Sequence, residues 1–302
     1  MLATAAVKEG KKEESMLVGG QAVIEGVLMR SKEKTAVAVR AESGRIVQKV
    51  WKISPMGTRI KLFKFPVVRG VGVLYETLVI GFQALAFSAN AAAGKDEKGS
   101  DVLGRREMFF SFAVAILLAV LLFVVAPLFL AKLVTNGSGS RLLFNLVDGV
   151  FRMLAFLAYL VLISFFRDVQ RLFQYHGAEH MVIHAYEHRD PLLPVKIRKY
   201  PTMHPRCGTS FLLIVMMVSI LVFSLVSPRS FLLKLLSRLL LLPIIAGVSY
   251  ELLRLGAKFE KFPLMKLFVV PGLLLQRITT KEPDNGQILV AVAALKAVLR
   301  MK

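Results

Sequence analysis

The chain has 302 residues, 55% of them hydrophobic, and its 40 Lys and Arg against 20 Asp and Glu give a formal charge of +20. That apolar content excludes an ordinary soluble enzyme and points to a bilayer, where basic residues flank membrane spans and meet anionic lipid. The one cysteine, Cys207, excludes an intrachain disulfide framework, and no recognition motif accompanies the positive charge, so nucleic acid is not expected as a partner.

Residues 1–15 read as a disordered polar tail, without the apolar run of a signal peptide. Residues 16–62 form a small cytoplasmic β-containing segment, in which TAVAVR and RIVQKVWKI flank the turn-prone AESG and predict a hairpin. The membrane domain, 63–302, follows. Its first stretch, 63–94, is apolar but interrupted by Gly70, Gly72, Glu76 and Gly81, so it is expected to be interfacial or re-entrant. Four stretches have spanning character: 109–131, 141–166, 211–226 and 231–253. Asp148 and Arg152 lie one helical turn apart in the second and can pair there. Residues 262–275 read as a second interfacial or re-entrant element, broken by Pro271–Gly272. Residues 285–300 read as a terminal amphipathic helix opened by Asp284 or Asn285.

Lys and Arg concentrate before residue 109, in 167–210 and after 254, whereas 132–140 and 227–230 hold one basic residue each. Four crossings with both termini cytoplasmic satisfy the positive-inside rule, and they place the 167–210 segment at the cytoplasmic face of the inner (plasma) membrane. The fold class that results is mainly α, a polytopic membrane protein. It has about four transmembrane helices, amphipathic or re-entrant helices, and a small N-terminal β-hairpin.

All five histidines, His176, His180, His184, His188 and His204, fall within thirty residues of one another, and Cys207 follows closely. On a helix, positions four apart share a face and are about 6 Å apart along the axis, so His176 and His180 can grip one ion. The segment H-G-A-E-H fits the H-x-x-E-H pattern of inverted zinc peptidases, with Glu179 placed as the general base toward water. Two histidines do not complete a catalytic zinc site, which takes three protein ligands and keeps one position open. His184 is about 12 Å along the helix from His176, too far for one straight helix to supply all three. His204 and Cys207 are the outside candidates. Pro205 suits the first turn of a helix, where free N–H groups would favour a Cys207 thiolate, as ligand or as nucleophile. Glu25, Glu76 and Glu251 are further carboxylates in apolar settings, although Glu251 also reads as an i,i+3 partner of Arg254. His188, beside Arg189 and Asp190, reads as exposed and idle.

GGQAVIEGVLMR, RGVGVLYETL, YHGAEHMVIHAYE, HPRCGTSFLLIV, AGVSYELLRL and PGLLLQRITTKEPDNGQILVAVAALKAVL together resemble the YqhQ-like family of bacterial membrane proteins. That family is of unknown function and has been described only as predicted metal-dependent enzymes. The resemblance implies a multi-span bacterial membrane protein with His176, Glu179, His180, His204 and Cys207 as its central set.

Two readings follow. One is a zinc hydrolase acting on a lipid-borne or peptide substrate at the cytoplasmic interface, with His176, His180 and His204 or Cys207 as ligands, His184 as a further candidate, and Glu179 as base. The other is a metal carrier, metal sensor or membrane scaffold without catalysis.

Overall fold

Strands β2 (Gly26–Arg30) and β3 (Lys34–Arg40) are buried at nearly every position, a pattern that requires cover on both faces of a sheet. With β1 (Gly19–Val23) and β4 (Ile46–Lys52) they form an antiparallel sheet in the order β1-β2-β3-β4. The computed structural model describes residues 18–31, 34–94, 105–135, 140–226, 230–258 and 266–300. The expected tail at 1–15 lies outside them, as does the start of the 262–275 element.

The predicted hairpin is present as β3–β4, turning at Gly44 with φ 79°. A second hairpin, β1–β2, enlarges it to four strands. One face of the sheet, with Val27, Met29, Ala36 and Ala38, packs on helices α6 (Arg167–Glu187) and α11 (Asn285–Arg300). The opposite face, with Leu28, Val37 and Val39, packs on Ile80 and Ala84 of α2 (Val68–Ala92). α11 begins where the sequence expects. Asp284 Oδ1 accepts the Gln287 N–H at 2.7 Å and Gln287 Oε1 accepts the Asp284 N–H at 2.8 Å, a reciprocal cap.

Among the described residues, four helices are long and apolar enough to cross a membrane, covering 68–92, 109–135, 142–163 and 232–256. The protein is a multi-span membrane protein. The second of these runs from α3 (Arg105–Val120) through a π-helical turn into α4 (Ala126–Thr135). The third is α5 (Arg141–Ile163) and the fourth α9 (Phe231–Lys258). The apolar stretch at 211–226 forms α8 (Thr209–Leu225), a shorter helix of 17 residues.

The 63–94 stretch is less broken than its glycines suggest. α2 is one uninterrupted helix because Gly70 is a packing site: a Cβ there would lie 2.9 Å from Gly247 Cα of α9. Pro271 and Gly272 likewise fall inside a continuous helix, α10 (Lys266–Thr279). Asp148 pairs with Arg152 at 3.0 Å, as the spacing predicts, and also with Arg238 of α9 at 2.6 Å. Both guanidiniums sit 4.8 Å from the Phe223 ring centre on α8, so the cluster joins three helices.

Candidate metal centre

α6 carries His176, Glu179 and His180 on its buried side. Gly177 between them is required by close approach, since a Cβ there would collide with the Lys281 carbonyl oxygen. That contact lays the end of α10 against the helix and brings the Thr279 carbonyl 2.8 Å from His176 Nδ1. From the other side, the Thr202 carbonyl lies 2.5 Å from His180 Nδ1. A carbonyl oxygen only accepts, so both Nδ1 atoms carry the proton and both Nε2 atoms are unprotonated, that of His176 accepting from the Cys207 thiol. Carbonyl-held imidazoles of this kind are how metal-ligating histidines are oriented.

His176 Nε2 lies 3.2 Å from Cys207 Sγ, and the ligand atoms of His176, His180 and Cys207 all fall within 4.8 Å of one another. A tetrahedral zinc with bonds near 2.1 and 2.3 Å separates nitrogen from sulfur by about 3.6 Å, so the three donors fit that ion. Cys207 precedes α8, and its Sγ accepts from Thr209 Oγ1 at 3.3 Å and Thr209 N at 3.5 Å. The thiolate expected at this helix start is nevertheless disfavoured in the free site. Burial outweighs the Thr209 donors and pushes the thiol up to about 11.

The candidates divide into two groups. His184, Glu187 and His204 form the second, again with ligand atoms within 4.8 Å of one another. His204 Nδ1 accepts the Arg206 N–H at 3.2 Å, so its proton is on Nε2, facing Glu187 at 3.5 Å. His184 Nε2 donates to the Met203 carbonyl at 3.0 Å and its ring stacks on Tyr200. Arg206 pairs with Glu187 and places a positive charge where a cation would bind. Either group could hold a metal; the ring nitrogens of the second are engaged by Met203, Arg206 and Glu187, whereas the first keeps unprotonated Nε2 atoms at Cys207. Gln276 of α10 clamps the His204 backbone, accepting its N–H at 2.7 Å and donating to its carbonyl at 2.9 Å. His188 is exposed, as expected.

Burial lowers the basicity of the imidazoles: His176 falls, His180 goes to about 2 with help from the neighbouring His176, and His204 to about 4. Neutral rings are the ligating form. Glu179 is raised to about 8, also by burial, and its carboxyl accepts the Gly20 N–H from β1. A cleft of about 610 Å³ opens here, with β1 on one side and His176, Glu179, His180 and Cys207 on the other.

The remaining carboxylates do not reach the cleft. Glu25 is tied to Arg171 and to the Tyr175 hydroxyl at 3.2 Å. Glu76 pairs with Arg30 at 2.7 Å. Glu251 pairs with Arg69 of α2, its oxygen 2.6 Å from Nε, and not with Arg254 as the i,i+3 spacing suggests. The sequence reading missed the Thr202 and Thr279 carbonyls, the Gly20 N–H and Gln276. The first three are backbone groups, which no residue type announces.

Residues 65–301 match the family described as a protein of unknown function, DUF1385. The chain belongs to that family. It is 33% identical over 303 residues to the uncharacterized protein YqhQ of Bacillus subtilis (strain 168), covering 94% of this chain and 92% of the relative. No solved structure matches the chain. The DUF1385 match takes in all three open metal donors and both supporting carbonyls and begins beyond the sheet that forms the other wall of the cleft.

Proposed function

We propose that this protein is a zinc-dependent hydrolase working at the cytoplasmic face of a bacterial plasma membrane. The observation that carries the reading is the pair of imidazoles with Nδ1 on a carbonyl, leaving both Nε2 unprotonated, with His176 Nε2 3.2 Å from Cys207 Sγ and ligand atoms of all three residues within 4.8 Å of one another. Zinc held by His176 Nε2, His180 Nε2 and Cys207 Sγ supplies a Lewis acid beside the cleft. Glu179 receives the proton of the attacking water and returns it to the leaving group. The Gly20 N–H fixes its carboxyl for that transfer, and a proton affinity near neutrality suits both halves of it. The high value for Cys207 favours it as a ligand over a free thiolate nucleophile.

The placement at the membrane rests on where α2 is held. The end of α4 and the starts of α5 and α9 meet at Leu128, Ala131, Phe144 and Leu235, which mark one side of the bundle, with the sheet, α6 and the end of α9 on the other. The first turn of α2 is tied to that end of α9 through Arg69–Glu251 and Gly70–Gly247. Its later turns, at Ile80, Ala84 and Ala91, pack on the sheet. Both ends of α2 are thus on the same side, and Tyr75, Leu78, Phe82 and Leu85 form an exposed apolar stripe at helical spacing. α2 then lies along the leaflet, and the crossings are 109–135, α5, α8 and α9. The basic residues beside the sheet make that side cytoplasmic.

Elemental analysis of purified protein tests the metal: about one zinc per chain is expected, retained in Glu179→Gln. Protein without a transition metal would overturn the reading. Zinc retention with full biological function in Glu179→Gln would assign a carrier or sensor instead.

A further inference from the structure

Among the described residues, strand β1 pairs with β2 alone and is an edge of the sheet. Its wall of the cleft is contiguous, from Val18 through Ala22. In an antiparallel pair, successive residues turn their backbone groups alternately toward the partner strand and away from it. Gly20 gives its N–H to Glu179 and so belongs to the outward set. Ala22, two residues on, belongs to it too, while Gly19, Gln21 and Val23 face β2.

With the Gly20 N–H held by Glu179, the Gly20 carbonyl and the Ala22 N–H and carbonyl are the outward groups left beside the void, and such a row is a template for strand addition. Gly19 and Gly20 are exposed and carry no side chain that would hold a second backbone away. Leu172, Phe173 and Leu212 line the cleft beyond them and suit apolar side chains. A lipid has no alternating donors and acceptors to match this row.

We propose, resting on the zinc-hydrolase reading, that the substrate is an extended apolar polypeptide segment that docks on β1 as an added strand. Its peptide C–N bond is then cleaved: the water oxygen goes to the carbonyl carbon, and Glu179 passes the water proton to the departing amine nitrogen.

The test uses a pool of ten-residue peptides rich in Leu, Val and Phe, and the same pool N-methylated at alternate residues. Each is incubated with the full-length, detergent-solubilised protein, and retained peptide, counted together with any cleavage fragments, is read by mass spectrometry. Wild type should retain the unmodified pool on the order of tenfold better than the N-methylated one, the effect of losing a backbone hydrogen bond or two. Ala22→Pro removes an outward N–H and leaves the bonds to β2. It should lower retention by a similar factor with zinc content unchanged. Equal retention of the two pools by wild type would overturn the proposal without any variant. So would unchanged retention in folded Ala22→Pro, or hydrolysis of phosphatidylglycerol vesicles with no peptide retained. Zinc content is measured separately, so a metal-free protein that still retains peptide refutes the hydrolase and leaves the docking strand standing.

Discussion

Asp148, Arg152 and Arg238 are buried inside the helix bundle, and Glu179, His180 and Cys207 are buried beneath the sheet, yet the two regions use burial differently. In the bundle, the charges point at each other: two guanidiniums converge on one carboxylate and close over Phe223. Under the sheet, each imidazole is gripped from behind by a carbonyl and its second nitrogen faces the cleft. Burial of ionisable groups therefore does not by itself mark a reactive site. What separates them is the direction of the lone pairs left over. The bundle cluster is a pin that fixes α5, α8 and α9, and the histidine group is poised to accept something from outside.

The sharpest way to break that contrast is to remove donors from each region and count metal. His176→Ala with His180→Ala should take zinc from about one per chain to none in elemental analysis, since one thiol cannot hold the ion. Asp148→Ala should leave zinc per folded chain unchanged and destabilise the bundle by roughly 3–5 kcal/mol, because two buried guanidiniums lose their counter-charge. Thermal unfolding in detergent reads this, and zinc loss in Asp148→Ala would erase the distinction drawn here. Gln276→Leu releases the His204 backbone and should weaken zinc by roughly 10–100-fold in chelator competition, as outer-shell losses do.

Acidity sharpens it further. Cys207 keeps its proton up to about 11 in the free site, so zinc uptake must release that proton. Affinity should rise about tenfold per unit from pH 8 to 10. The lowered imidazoles, already neutral there, add no slope. A flat profile would exclude the thiol as a ligand. The smallest effect is expected from Glu25→Gln, which breaks an ion pair whose Arg171 side chain is 48% exposed. It should cost at most about 1 kcal/mol and leave zinc binding alone.

The parts of this arrangement legible in the sequence were those with local signatures. The i,i+4 histidines, the Asp148–Arg152 pair, the β3–β4 turn and the Asp284 cap all depend on residues a few positions apart. Where a partner came from another element, local spacing misled. Arg254 is the helical neighbour of Glu251, but Arg69 arrives from α2. The glycines of α2 resemble breaks until Gly247 is seen pressed against Gly70. The third ligand was left open between His204 and Cys207. The structure groups Cys207 with His176 and His180, and His204 with His184 and Glu187, contacts that no local spacing announces.

The sheet and the helix that covers it come from opposite ends of the chain. β1 to β4 leave the ribosome before α11, with the membrane helices made in between. At bacterial and eukaryotic translation speeds that interval is on the order of tens of seconds. Throughout it, Val27, Met29, Ala36 and Ala38 lack the cover of Ile288, Val292 and Leu295. One face of the sheet thus stays without its α11 cover while the apolar helices are entering the bilayer.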